Sequence, residues 1–310
     1  MIPTTAFLNR IIILNRVILA FCFLLFIAGS CNPKTVESTE EIKEETTEKT
    51  EAEIVYNLED PVDQFLIFQK LQSDLSGKTT YSYSEGRVFG IRPDKPDSLN
   101  VFGKEVFKYS GCAIKMARQL DNGNVETKSK GWLLYQDPET GEFLERMVNP
   151  YTGEEVEVPP FRAGIRGGIN TPNGPKINAT FKMESTAIGQ PLNLVFTQIG
   201  DRMHVTRHAF TKWFESKSQT WRTEMTLDTY DFDMTYLYDR SHTHIPADYH
   251  WTSQTSWLSI LKMQGTPGHM IWTSSGRTFY NKEDLPAAFI AATEIKQPDV
   301  FKEPLQWEEE

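Results

Sequence analysis

The phrase Asp137-Pro138-Glu139-Thr140-Gly141-Glu142 returns as Asn149-Pro150-Tyr151-Thr152-Gly153-Glu154. Each copy opens with a side chain that can bond its own backbone and continues with a proline that presets φ. Each then reaches a glycine able to take the left-handed conformation that closes a short hairpin. Residues 143–148 between the copies have the usual length of one strand. Residues 130–158 therefore predict strand, turn, strand, turn, strand, an antiparallel meander.

The same patterning extends along the chain. Asp60-Pro61-Val62-Asp63 is a helix start, with a cap residue, a proline at the first helical position and acid in the first turn. Apolar side chains at Phe65, Phe68 and Leu75 follow at helical spacing, and Gly77 stops the helix. Strand-like runs then cover 79–91, 101–109, 111–120 and 125–135, separated by turn residues. Residues 159–175 are rich in Gly and Pro and read as a long irregular loop. Strands return at 179–185, 192–198, 202–214 and 220–229, with Ile199-Gly200-Asp201 as a hairpin turn. From Tyr230 the apolar parity switches from odd to even positions, which predicts a bulge near Asp228-Thr229. A short helix is expected around Trp257, Leu258 and Leu261, a last strand at 276–280, a short helix at 287–295, and a loose tail after it.

About ten short-turned strands with helices only at the two ends predict a mainly β protein. Its core is a single large antiparallel meander sheet, curled or closed into a barrel-like domain, with short flanking helices at both ends. No βαβ alternation is visible, which argues against a nucleotide-binding doubly wound sheet.

The first sixty residues are of another kind. Arg10 and Arg16 precede an apolar run over 17–28, shorter than the ~20 residues a spanning helix needs, so 1–30 reads as an export signal. Ile27-Ala28-Gly29-Ser30-Cys31 resembles the bacterial lipoprotein box, in which cleavage precedes the cysteine and lipid is attached to it. The expectation is a chain held to the membrane through lipidated Cys31, exported and anchored to the cell envelope at the outer membrane. Residues 32–60 carry ten Asp/Glu against three Lys/Arg and little to bury, the composition of a disordered acidic tether. Residues 61–310 form the expected single β-rich domain. The formal net charge of −10 excludes the basic footprint that nucleic acid needs. Cys112 alone lies in the body of the chain, where it reads as a small buried hydrophobe.

The text Gly86-Arg87-Val88-Phe89-Gly90, residues 135–158 with their two Pro-x-Thr-Gly-Glu turns, His250-Trp251, and Pro267-Gly268 followed by Trp272 and Gly276-Arg277 resemble a bacterial family catalogued as domain of unknown function 1838. The resemblance covers roughly 61–307. It implies one exported domain and supplies no active site.

Two side-chain groupings are candidates for function. Tyr230, Phe232, Tyr236 and Tyr238, with Trp221 and Trp251, can line a cavity for an apolar or aromatic small molecule, although core packing explains many such stripes. His204 and His208 share one face of a strand, and His242 and His244 are spaced to do the same. Four imidazoles could hold zinc or iron in a metal-dependent enzyme, or be hydrogen-bonded histidines on a half-polar face. A ligand-binding lipoprotein is the leading expectation. The metal-dependent enzyme and a structural or partner-binding envelope protein are the alternatives.

Overall fold

The Asp60 carboxylate accepts the Val62 N–H at 2.9 Å and Pro61 occupies the first turn, so helix α1 (Pro61–Gln72) begins where its sequence dictates. The computed structural model describes residues 53–93, 103–176, 183–185, 192–215 and 220–307. After α1 the strands in order are β1 (Ser76–Ile91), β2 (Lys104–Gln119), β3 (Val125–Gln136), β4 (Arg146–Val148), β5 (Glu155–Glu157), β6 (Phe161–Thr171) and β7 (Gly174–Lys176). They continue as β8 (Met183–Ser185), β9 (Leu194–Ile199), β10 (Arg202–Glu215), β11 (Thr220–Asp233), β12 (Asp248–Thr255) and β13 (His269–Phe279), and helix α2 (Ala287–Lys296) follows.

Eleven strands form one antiparallel sheet in the order β7-β6-β3-β2-β1-β13-β12-β11-β10, with β8 and β9 both on the far side of β10. Two meanders, β1–β3 and β9–β13, are joined where the last strand pairs with the first, from Tyr81↔Phe279 to Ile91↔His269. The fold is mainly β, as expected, with a helix towards each end. The sheet curls without closing: among the described residues its two edges do not pair.

The concave face is filled at one end by α1. Ile67, Phe68 and Leu71 pack on Met203, Val205, Tyr230 and Phe232 of one limb, and Phe65 packs on Ala117 and Val125 of the other. At the other end Phe107, Tyr109, Tyr135 and Trp272 meet Trp257, Leu261 and Met263, which follow β12. On the convex face α2 and the chain on either side of it cover Tyr83, Cys112, Ile114 and Trp132 with Leu285, Phe289 and Val300. Cys112 is the buried hydrophobe expected, and burial pushes its thiol pKa up.

Both repeated turns form as read. Gly141 and Gly153 have φ of 76° and 75°, and each donates its N–H to the carbonyl that opens its turn, Asp137 or Asn149, at 2.9 Å. The strand between them does not join the main sheet. Phe143 makes one bridge to Gln136, and β4 pairs only with β5 in a separate two-stranded ribbon. The Asn149 side chain anchors the ribbon by donating to the Leu261 carbonyl at 2.8 Å.

Other expectations are corrected. The Gly-rich stretch after Pro159 is strand rather than loop, because β3 pairs with β6 on both sides of one register shift and this outweighs the low strand propensity of glycine. The break at Ser110-Gly111 is absent, and β2 runs unbroken. No bulge interrupts β11, whose register against β10 is continuous from Thr220 to Asp233. Helix α1 ends at Gln72, before Gly77. The helix expected near Trp257 is one 3-10 turn at Ser259–Leu261. The chain beyond α2 is packed, with Val300 and Leu305 buried. Of the strand expected at 179–185 only β8 lies within the described residues.

One ion pair fixes α1 in place. Arg240 donates to Asp63 with both guanidinium nitrogens, at 2.7 and 2.6 Å, and to the Val55 carbonyl, while its ring-side face covers Tyr56. Burial raises the Asp63 pKa, but the bonds from Arg240 and the Asn57 amide outweigh it, so the carboxyl titrates below its usual range. A depressed carboxyl contributes stability above its unfolded pKa and loses it as pH falls through the folded value. Arg240→Ala leaves that carboxylate buried and is expected to cost about 2 kcal/mol in urea unfolding at pH 7. Arg87→Ala removes the exposed pair with Glu105 and is expected to cost less than about 0.5 kcal/mol. Equal costs would contradict this account.

Candidate functional site

The inward side chains of β2 are Phe107, Tyr109, Gly111, Ala113, Lys115 and Ala117. Large rings at one end give way to almost nothing at Gly111 and Ala113, and then to a lysine. Neighbouring strands repeat the pattern in register. Opposite Gly111 and Ala113 lie Ser84 and Ser82 of β1, with Leu133 and Gly131 of β3 on the other side. Small residues in adjacent rows cannot meet the facing limb, so a cavity of about 330 Å³ remains between the two packed ends. This is at the lower end of ligand-pocket volumes.

Its other walls are aromatic. Tyr230 of β11 and Tyr249 of β12 stand side by side, ring centroids 5.1 Å apart, and Trp251 continues the wall. Tyr109 closes the end near Trp272, with centroids at 5.3 Å. Phe161 of β6, 48% exposed, borders the cavity where it reaches solvent. Gly131 is open on this side: a Cβ there would come no nearer than 3.6 Å to any neighbour.

A polar cluster faces the cavity beside α1. Lys115 Nζ donates to the Gln72 carbonyl at 3.3 Å and lies 3.5 Å from Gln72 Oε1, and Gln72 Nε2 donates to the Tyr230 hydroxyl. Asp228 is already engaged, by Arg207 at 3.1 Å and the Tyr249 hydroxyl at 3.2 Å. Arg207 in turn covers the Phe68 ring. Burial pushes the Lys115 pKa down, and the nearby Asp228 only partly offsets this. Burial also pushes the Asp228 pKa up, although Arg207 opposes it, and raises Tyr230 and Tyr249 well above the usual phenol range. The Tyr109 hydroxyl is buried without a hydrogen-bond partner, Ser274 lying beside it out of bonding geometry, and its pKa is pushed up to about 12.

Of the aromatic candidates, Tyr230 and Trp251 line this cavity. Phe232 is fully buried in the core against α1. Tyr236 and Tyr238 leave the strand, since the chain turns into a 3-10 helix at Met234–Leu237, and they pack against the same core. Trp221 pairs with Phe214 in β11, and its side chain lies outside the described residues.

The histidines are dispersed. His204 Nδ1 is 2.9 Å from Asp231, which also accepts from Arg202 at 2.5 Å, and His208 is exposed. His242 packs on Tyr236 and lies 4.0 Å from Asp239. His244 is buried, with Nδ1 2.9 Å from the Tyr280 hydroxyl. Among the described residues no three His, Cys, Asp or Glu side chains come together as a metal site, so these four give zinc or iron no common centre.

Lys115, Gln72, Asp228, Arg207 and Tyr249 were not singled out in the sequence. The available signal was the parity of β11: Glu224, Thr226 and Asp228 share a face with Tyr230 and Phe232, which is the inward face throughout. The apparent switch of face is a change from an apolar to a polar interior.

A family model described as "Protein of unknown function (DUF1838)" matches residues 77–310, in agreement with the resemblance seen in the sequence. No curated protein matches the chain.

The lowered pKa of Lys115 has a sign that can be measured. Its ammonium costs stability at pH values below the folded pKa, and the cost disappears as pH rises to the unfolded value near 10.4. Lys115→Met is therefore expected to stabilise the protein by about 1–2 kcal/mol at pH 7, the gain shrinking towards pH 10. Groups remote from Lys115 cancel in the difference between the two proteins, whereas Asp228, Cys112 and His244, which feel its charge, contribute to it. Urea unfolding at the two pH values checks it, and a variant less stable at pH 7 would contradict the assignment.

Proposed function

The chain belongs to the DUF1838 family of unknown function, which it matches over residues 77–310, and we propose that its β domain binds an aromatic or apolar small molecule in the internal cavity. The observation that carries this reading is the hollow itself. Ser82, Ser84, Gly111, Ala113 and Gly131 leave space in adjacent rows of one limb, and Tyr230, Tyr249 and Trp251 face that space from the other. Rings of this kind hold flat apolar ligands over their faces and orient them with hydroxyls. Tyr109, buried without a partner, supplies one such hydroxyl.

Titration with 2-naphthol, followed by quenching of tryptophan fluorescence, is expected to saturate at one ligand per chain. Gly131→Leu places a side chain in the hollow at a site with room for it, and should reduce affinity at least about tenfold while the circular dichroism stays that of the wild type. A wild-type protein that does not bind, or a Gly131→Leu protein that binds as well, would refute the cavity as the site.

The second part of the reading concerns location. Arg10, Arg16, the apolar run over 17–28 and the small residues before Cys31 support export followed by lipid attachment at Cys31, with an acidic tether between lipid and domain. The protein then presents its cavity at the cell envelope, on the outer membrane. Among the described residues no helix is long and apolar enough to cross a membrane. Cys31→Ser is expected to shift the protein from the membrane fraction to the soluble fraction of cells labelled with radioactive palmitate and to lose the label. An unlabelled wild-type protein would overturn the lipoprotein reading.

A further inference from the structure

The cavity holds one amine that the fold leaves without a counter-charge. Lys115 projects from β2 into the space lined by Tyr230, Tyr249 and Trp251, and its protein partners are both on Gln72, at 3.3 and 3.5 Å. Among the described residues no carboxylate lies within ion-pair distance of it. The two carboxylates on the inward face of β11 are already satisfied. Asp228 takes Arg207 and the Tyr249 hydroxyl, and Glu224 accepts the Ser253 hydroxyl at 2.8 Å. The Arg207–Asp228 pair is balanced and Glu224 does not line the cavity, so the protonated form of Lys115 meets no carboxylate directly. An ammonium removed from water without a carboxylate is costly, and a ligand that brings the carboxylate removes that cost on binding.

Resting on the cavity reading above, we infer that the ligand is an aromatic carboxylate: one or two fused rings against Tyr230, Tyr249 and Trp251, and a single carboxylate taken by Lys115 Nζ. The volume of about 330 Å³ limits the ring system to this size. The partnerless Tyr109 hydroxyl, on the same inward face of β2 beyond Gly111 and Ala113, lies at the opposite end from Lys115 and suits a second, uncharged polar group on the ring. A cationic ligand would meet Lys115 and Arg207 without a free carboxylate. A neutral ligand would leave the lysine as it is.

The test compares 2-naphthoate with its methyl ester at pH 7, by isothermal titration of the wild-type protein and of Lys115→Met. The two ligands share their rings and differ in charge. The wild type is expected to bind the carboxylate at least about tenfold more tightly than the ester. Lys115→Met should lose that preference and keep its affinity for the ester. Equal wild-type affinities for acid and ester would overturn the inference while leaving the cavity reading intact, as would a Lys115→Met protein that still prefers the acid. Failure of both ligands to bind the wild type would remove the cavity reading, and the inference with it. The wild-type comparison decides the question alone if the variant does not fold.

Discussion

The pairing of β1 with β13 is the constraint on which the molecule depends. Each meander pairs strands that are consecutive in the chain, but neither alone would face anything. The eleven consecutive partners from Tyr81↔Phe279 to Ile91↔His269 put the first strand of the domain beside the last. They set one register for both limbs, and they turn Ser82 and Ser84 towards the same interior as Tyr249 and Trp251. A slip of one residue would exchange the inner and outer faces of a limb, moving Tyr83 and Tyr81 inward and the serines out beneath α2. The pairing is also of very high contact order, formed only after nearly two hundred intervening residues have been brought together. The closure of the fold and the formation of the cavity are thus one event.

Helix α1 then determines how much of the curl is filled. Its apolar side chains reach both limbs, Phe65 to β2 and β3 and Phe68 to β10 and β11. Its last residue, Gln72, spans the interior by meeting Lys115 on one side and Tyr230 on the other. The helix is held by buried charges at the opposite face. Asp63 pairs with Arg240, and the Lys70 ammonium donates to the Arg240 carbonyl at 2.7 Å and to the Tyr56 hydroxyl at 2.9 Å. Burial brings the Lys70 pKa down to about 8. Side chains that would each be costly alone specify one seating of the helix when satisfied together. That seating positions the polar end of the cavity.

What could be read from the sequence was what is encoded locally. The Asp60 cap, the two Pro-x-Thr-Gly-Glu turns and the Gly200 hairpin each act within a few residues, and each appears where the sequence puts it. The strand β6 was hidden because its glycines have poor strand propensity, and the waiting edge of β3 pairs Gly167 and Gly168 while Gly164 falls in a register shift. The interior of β11 was hidden for a different reason. Periodicity assigns the buried face to whichever side is apolar, and along 224–228 that side is the outer one, with Met225 39% exposed. The strand keeps its face and buries Glu224, Thr226 and Asp228 instead. A polar stretch aimed inward is what a site looks like in sequence, and it is indistinguishable from a register change without the pairing partners. Lys115 and Arg207 were equally silent, each one of several charges along its strand.

The hollow is aromatic in its middle and polar at one end. The space of about 330 Å³ opens to solvent beside Phe161, so water enters it. That water is well ordered only where polar groups can hold it. Lys115, Gln72, Ser82 and Ser84 hold water at one end, but the faces of Tyr230, Tyr249 and Trp251 offer it few bonds. Solvent in the middle of the cavity is therefore poorly held and cheaply displaced by a ring. The polar end behaves oppositely, since displacing its water is favourable only for a group that restores the bonds. In the proposed binding role, an apolar middle and a cationic end match a molecule with the same two parts.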